Sequence, residues 1–258
     1  MEASRGLWKV YARVYDNILL CFHPYRELMG QVKESMDARD GWRILDAGCG
    51  TGNLLKTLAG PTANFSLVGI DFEKAMLERA RFKLGRSSIG RNGKVTLQQA
   101  NLDHSLPFAD GEFDGIVCVN TLYALNNPAQ FMRECGRLLK SRGRLVLVTP
   151  PEQPRMGPLF REHLRTMRQR YPLFWFLTFS VQLLRLSPSL LPFLAINRII
   201  QKQSAFTFFS EKELSSLVCR CGLKIDCLAK TYGGQAWLLV CTKQQDETGN
   251  KTAEGAEA

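Results

Sequence analysis

The run Ile44-Leu45-Asp46-Ala47-Gly48-Cys49-Gly50-Thr51-Gly52-Asn53 limits what this chain can fold into more than any other stretch of it. An apolar segment stops, glycines come at alternate positions, and Leu54, Leu55 and Leu58 then recur at helical spacing. That pattern is a buried strand turning tightly into a helix. Glycine is needed where such a turn is sharp and where a ligand must approach the backbone. Nineteen residues past Gly52, Asp71 ends a second apolar run, a place where a carboxylate can accept both hydrogen bonds of a ribose diol.

Two cofactors fit that outline, and the details separate them. The dinucleotide fingerprint G-x-G-x-x-G would put glycine at 53, where this chain has Asn53, and Asp46 leads the loop. A carboxylate there would repel the pyrophosphate that a helix N-terminus otherwise attracts. S-adenosylmethionine has no phosphate but does have an ammonium group, which Asp46 could help to hold, directly or through water. The loop therefore points to S-adenosylmethionine ahead of a nicotinamide cofactor.

Further strand-like runs are Arg43–Ala47, Ser66–Asp71, Val95–Ala100, Gly115–Asn120 and Arg144–Thr149, with helical patterns between them. One helix has a clear start, with Asn127 placed to cap and Pro128 at its first position. Short buried strands alternating with helices imply a parallel sheet covered on both faces. Two last runs, Lys224–Tyr232 and Gln235–Thr242, flank Gly233-Gly234 and predict a terminal antiparallel hairpin. The expected fold is α/β: a Rossmann-like doubly wound sheet, mostly parallel, with a helical insertion between the fifth and sixth strands. Residues 1–41 are expected to form a helical cofactor cover, 42–150 and 210–242 the core, 151–209 the insertion, and 243–258 a disordered tail.

Of the eight cysteines none forms a CxxC pair or metal-ligand spacing, and several lie in apolar runs, so a reducing, cytoplasmic setting without a disulfide framework or metal is expected. Val14 to Phe22 is interrupted by Asp16 and Asn17, unlike a secretory signal.

From Trp42 to Pro150 the chain resembles the class I S-adenosylmethionine-dependent methyltransferases. Within them it is most similar to the branch of ubiquinone/menaquinone-biosynthesis C-methyltransferases and small-molecule or lipid N-methyltransferases. The resemblance rests on Leu45-Asp46-Ala47-Gly48-Cys49-Gly50-Thr51-Gly52 and Val68-Gly69-Ile70-Asp71. Leu106-Pro107-Phe108, Phe113-Asp114 and Arg137-Leu138-Leu139-Lys140 with Gly143 extend it. It implies that Gly48, Cys49, Gly50 and Gly52 line the methionine moiety, that Asp71 binds the ribose, and that Phe72 and Met76 pack near adenine. Tyr11 and the pair Tyr15-Asp16 look like the aromatic N-terminal element that covers the cofactor. Asn101 and Leu102 stand where the family usually has an acidic residue for the adenine amino group, so the acceptor here is neutral. Asn120 falls at the carboxyl edge of the sheet, where ligands bind in open α/β folds.

The methyl acceptor is less legible, because displacement at a sulfonium needs alignment and exclusion of water more than a particular side chain. Asn120-Thr121-Leu122-Tyr123 lacks the prolines typical of enzymes that methylate nucleic-acid bases. Between Pro151 and Phe209 lie eight basic residues and two glutamates, with Arg161, Arg165, Arg168 and Arg170 just before an aromatic and aliphatic block that includes Phe174, Trp175, Phe176 and Phe179. The longest uncharged run, Tyr171 to Leu184, is shorter than the roughly 20 residues a bilayer requires, and Pro188 and Pro192 interrupt the apolar stretch beyond it, so no spanning helix is expected. A packed lid, peripheral contact with an anionic membrane and contact with another protein all remain open for this segment, whereas nucleic acid is not expected. The acceptor is expected to be small and hydrophobic or lipid-like: a quinol, an isoprenoid or an amine-bearing lipid. His23, Tyr123 and His163 are the candidates for handling a proton. Transfer of another group from the same donor, a nicotinamide-dependent oxidoreductase and a non-catalytic binding module are the alternatives.

Overall fold

A computed structural model describes residues 5–60, 64–85, 95–202 and 206–245. Two helices, α1 (Arg5–Leu19) and α2 (His23–Met36), precede β1 (Arg43–Ala47), α3 (Asn53–Leu58), β2 (Ser66–Asp71), α4 (Lys74–Gly85) and β3 (Val95–Gln99). Next come β4 (Phe113–Val119), a 3-10 turn (Leu122–Ala124), α5 (Pro128–Leu138) and β5 (Leu139–Thr149). Helices α6 (Met156–Arg170), α7 (Trp175–Lys202) and α8 (Glu211–Cys219) lead to β6 (Leu223–Thr231) and β7 (Ala236–Lys243). The expected tail beyond residue 245 lies outside the described residues.

The strands form one sheet in the order β3-β2-β1-β4-β5-β7-β6, with β7 antiparallel to both of its neighbours and the other pairs parallel. Central strands are buried on both faces, which is why they read as unbroken apolar runs. Alternate residues feed two cores: Ile44, Val117 and Val146 pack with α2, α3, α4 and α7, while Leu45, Ile116 and Leu147 pack with α5 and α8. Asn127 caps α5 by accepting a hydrogen bond from the Gln130 amide at 3.1 Å. Tyr232, Gly233 and Gly234 all have positive φ, the backbone that the terminal hairpin's turn requires.

Two expectations are corrected. Strand β5 begins at Leu139 rather than Arg144, because Leu139 already pairs with Phe113 and a register shift before Gly115 absorbs the extra residues. Pro188 and Pro192 do not interrupt the insertion's second helix. Helix α7 continues through both for 28 residues, about 42 Å at 1.5 Å per residue, and is long and apolar enough to cross a membrane. The amide that Pro188 lacks would have bonded the Leu184 carbonyl, and Ser187 Oγ donates to that oxygen instead at 2.8 Å. A parallel bridge between Pro151 and Phe209 brings both ends of the insertion to one point on the sheet.

The loop containing Leu106-Pro107-Phe108 is tied to α5 by Glu134 and Arg137. The buried Glu134 carboxylate accepts hydrogen bonds from the Leu106 amide at 2.7 Å and from Arg137 Nε at 3.0 Å, and Arg137 also donates to the carbonyls of Phe108 and Leu106. Hydrogen bonds from Arg137 hold the Glu134 carboxyl below its ordinary range. Its stabilising effect is therefore present above that range and is lost as pH falls through the lowered value. Glu134→Ala should cost about 2–3 kcal/mol near neutral pH in urea unfolding, and the difference from wild type should shrink in acid. A difference independent of pH would show that the ion pair contributes nothing beyond packing.

Candidate active site

The glycine loop is bent back onto β2. The amides of Gly48 and Cys49 both donate to the Ile70 carbonyl, at 2.8 and 2.9 Å. The Gly50 amide donates to Asp71 Oδ2 at 2.8 Å, and the Glu73 amide to Asp71 Oδ1 at 2.8 Å. Asp71 is thus fixed between the loop and the start of α4. Burial pushes its carboxyl up to about 6, against the lowering effect of those two amides.

The three glycines have different duties. A Cβ on Gly48 would sit 2.2 Å from Thr121 Oγ1, so this residue is forced by the approach of the turn after β4. A Cβ on Gly50 would meet nothing within 4 Å and would project into open space. Gly52, at φ 76°, packs toward Ala80 of α4 and lies off the cleft. Beneath the loop, Asp46 is almost wholly buried and its Oδ2 has no hydrogen-bond partner. Burial, then the charge of Asp71, pushes its carboxyl up to about 8.

Helix α1 is locked over this loop by one carboxylate. Asp16 Oδ1 accepts from Thr51 Oγ1 at 2.6 Å and from Asn53 Nδ2 at 3.0 Å, while Asp16 Oδ2 pairs with Lys83 Nζ of α4 at 2.9 Å. Lys83 also donates to Thr51 Oγ1 at 3.0 Å and to Asn53 Oδ1. Asn53 donates in turn to the Tyr25 hydroxyl at 3.3 Å. The cover, the loop and α4 therefore share one buried polar network.

Above the loop lies a cleft of about 1570 Å³, counting its open mouth. One end is lined by Gly48, Gly50, Asp71, Phe72, Met76 and Leu102. Apolar side chains such as Phe22, Leu159, Phe193 and Phe208 wall the rest, and tyrosines are spread along the whole cleft. Five of the chain's six tyrosines line it: Tyr11, Tyr15, Tyr25, Tyr123 and Tyr232. Burial raises the hydroxyl of every one, so all five stay protonated at neutral pH. Among the described residues no group of His, Cys, Asp and Glu could hold a metal ion.

Comparison with known proteins accounts for this arrangement. Residues 45–147 match the family described as "Methyltransferase domain". A demethylmenaquinone methyltransferase from Tropheryma whipplei is 32% identical over 170 residues, covering 64% of this chain and 67% of that protein. The chain belongs to the class I S-adenosylmethionine-dependent methyltransferases. S-adenosylmethionine is its cofactor. A ubiquinone/menaquinone biosynthesis C-methyltransferase from Geotalea uraniireducens is 32% identical over 150 residues, and the match spans 57% of this chain and 63% of that relative's length. A solved S-adenosylmethionine-dependent methyltransferase from Aquifex aeolicus shares the fold, with a TM-score of 0.57, 17% identity, and coverage of 87% of this chain and 92% of its own.

Within this methyltransferase fold, the candidate residues divide. Tyr11, Tyr15, Gly48, Gly50, Asp71, Phe72, Met76, Leu102, Asn120 and Tyr123 come together on the cleft. Asp46 and Cys49 are buried off it, and Asn101 does not line it; the Asn101 side-chain oxygen accepts from the Asp103 amide at 3.1 Å. His23 and His163 also lie off the cleft, with rings 5.3 Å apart. His163 is buried on α6, stacks 4.6 Å from Phe22 and accepts from the His23 amide, and burial lowers its ring to about 4. It is a neutral joint between helices rather than a group facing the cleft. Tyr25, Tyr232, Asn197 and Lys83 were not visible from sequence as parts of one site. The signal that could have raised the tyrosines is their scarcity elsewhere in the chain.

Two features of the loop fit the cofactor, the partnerless buried oxygen of Asp46 and the open space beyond Gly50. Both suit a ligand that brings an ammonium group close to the loop backbone. Because the fold raises the Asp46 carboxyl, its stability cost grows as pH rises from the ordinary carboxylate range toward about 8. Asp46→Asn should therefore gain thermal stability over wild type progressively from pH 5 to about 8, measured without cofactor. A constant difference across that window would mean that Asp46 is ionised throughout.

Proposed function

We propose that this protein transfers a methyl group from S-adenosylmethionine to a small hydrophobic acceptor of the quinol, isoprenoid or lipid kind. The observation that carries the reading is the continuity of the cleft: the glycine loop and Asp71 share one cavity with apolar walls that include Phe22, Leu159, Phe193 and Phe208. The relatives named for ubiquinone, menaquinone and demethylmenaquinone favour a quinol-like acceptor within that class.

On this reading Asp71 would accept hydrogen bonds from the ribose diol, with its orientation already set by the Gly50 and Glu73 amides. Phe72, Met76 and Leu102 would pack on adenine, and Asp46, buried beneath the loop and off the cleft, would act on the ammonium group through the field of its carboxyl rather than by contact. Asn120, at φ 52° past the end of β4, would border the junction between the two halves of the cleft. Tyr11 and Tyr15 would close the roof, held there by the clamp of Asp16 on Thr51. Bound cofactor supplies a methyl group already activated on a sulfonium, so the chain's task is to align the acceptor and keep water out. The buried aromatic walls provide both. Group transfer other than methyl from the same donor uses the same holding residues and is distinguished by product analysis.

Three measurements bear on this. Asp71→Ala should weaken binding of S-adenosylhomocysteine about 10- to 100-fold in calorimetry, since hydrogen bonds to a charged group contribute about 1.5–3 kcal/mol. Gly50→Val should abolish binding, because its side chain would enter open space that the ligand needs, and should also lower the melting temperature, because a β-branched residue is strained at φ 52°. Incubating the protein with methyl-labelled donor and a lipid extract should move label into the organic phase. Label confined to water-soluble products would overturn the acceptor class and leave the donor site standing.

A further inference from the structure

Helix α7 has two unlike halves. Its C-terminal half is packed along α1: Asn17 Nδ2 donates to Ser189 Oγ at 3.2 Å, Asn197 Nδ2 lies 3.4 Å from the Tyr11 hydroxyl, and Phe193 stacks on Tyr11 at 5.5 Å. Phe193, Ile196 and Ile200 are buried there, and Phe193 and Ile200 wall the cleft. The N-terminal half and the corner leading into it are less buried, although Gln182 Nε2 donates to the Cys21 carbonyl at 2.9 Å and Leu191 on the outer side of the C-terminal half is also 76% exposed. Leu173 is 86% exposed, Phe174 63%, Phe176 67% and Leu184 76%. Soluble domains rarely leave so much contiguous apolar surface bare without a use for it.

The charges around this corner are of one sign. Arg161, Arg165, Arg168 and Arg170 of α6 are exposed, and none makes an ion pair among the described residues. The single carboxylate of the two helices, Glu162, is half-buried and turned toward the hairpin at Gly233. Arg168 lies 4.4 Å over the Trp175 ring and Arg170 5.9 Å over Tyr171, so cations and amphipathic aromatics meet where the apolar corner begins. Phe160 of α6 meets Phe179 of α7 at 5.9 Å and joins the two helices into one surface.

We propose that the α6–α7 corner docks on an anionic lipid surface, inserting Leu173, Phe174 and Leu177 below the headgroups while the arginines of α6 engage lipid phosphates. The helix lies in the interface and does not cross. Gln182 is tied to the Cys21 carbonyl and Leu186 packs against the core, so only Trp175 to Val181 precedes the first tie, about 10 Å of helix against roughly 30 Å of hydrocarbon. An interfacial segment of this kind buries its apolar side about 5–10 Å deep. Met156 and Leu159 of α6 and Phe193 and Ile200 of α7 line the cleft, so the helices that dock also wall the chamber. Docking therefore sets the cleft beside the bilayer, from which an apolar acceptor could enter without crossing water. The surface stands on its own evidence: a water-soluble acceptor would overturn the proposed acceptor class and leave this docking surface intact.

The test uses the full chain and vesicles of phosphatidylcholine with or without phosphatidylglycerol. Flotation should be strong only with the anionic lipid and should fall with added salt. Arg161→Gln with Arg165→Gln should weaken partitioning about 30-fold, each arginine near an anionic surface being worth about a fivefold attraction. Leu173→Ser with Phe174→Ser should weaken it about 100-fold or more at low salt, with melting temperature and S-adenosylhomocysteine affinity unchanged, because both side chains are exposed in the free protein. Bound protein should be released by alkaline carbonate. Resistance to that extraction would replace docking with a spanning helix. Failure to bind any vesicle, or a stable oligomer broken by the Leu173 and Phe174 substitutions, would overturn the proposal in favour of a protein contact.

Discussion

Gly48 has no room for a side chain, and much of the site depends on that. The atom it would strike, Thr121 Oγ1, belongs to the turn after β4, whereas Gly48 belongs to the turn after β1. These strands are neighbours at the point where the sheet's growth reverses, with β2 and β3 on one side and β5 on the other. A crevice opens at the carboxyl ends of such a pair. Closing the two turns against each other makes its floor rigid. The amides of Gly48 and Cys49 then fall on the Ile70 carbonyl, the Gly50 amide falls on Asp71, and Thr51 is left to receive Asp16 from above.

What could be read from the sequence was whatever is local. The glycine loop, Asp71, the Asn127 cap and the Gly233-Gly234 turn each declare themselves within a few residues, because backbone geometry and a short polar side chain set them. The fold emerged from the same periodicities. The chamber was not legible, because its tyrosines come from α1, α2, the turn after β4 and the final hairpin, and only the tertiary fold unites them. Lys83 was invisible for the same reason: its partners Asp16, Thr51 and Asn53 lie at least 30 residues away in the chain. The histidines' place could not be read either, because it depends on contacts between distant helices; His163 is occupied in joining α6 to the α1–α2 turn.

Helix α7 shows where a local rule gives way. Two prolines should end a helix, and in water the carbonyls they leave behind favour solvent. Ser187 satisfies the first of those carbonyls from within the helix itself. Along its C-terminal half, Ser189, Asn197 and Phe193 bind α1, so packing and not propensity maintains the helix through Pro192. Residues 45–147, which match the family, end before this element, so the insertion is where this chain has room to differ from its relatives.

The protonation state of the chamber narrows the chemistry on the proposed reading. Its five tyrosine hydroxyls are held protonated by burial, so they can donate hydrogen bonds but cannot take a proton from an acceptor. The carboxylates that border the cleft, Asp71 and Glu73, belong to its cofactor end, and no histidine lines it. A protonated amine entering this chamber would meet no base. An oxygen or ring-carbon acceptor must shed a proton too, so on the proposed reading it would enter already ionised at oxygen or lose that proton to water, and hydroxyl donors around the oxygen would stabilise the anion. Tyr123, stacked on Phe208, gives such an acceptor a flat aromatic wall to lie against. On the proposed reading the chamber therefore suits an acceptor that arrives with its proton already lost over one that must be deprotonated inside it.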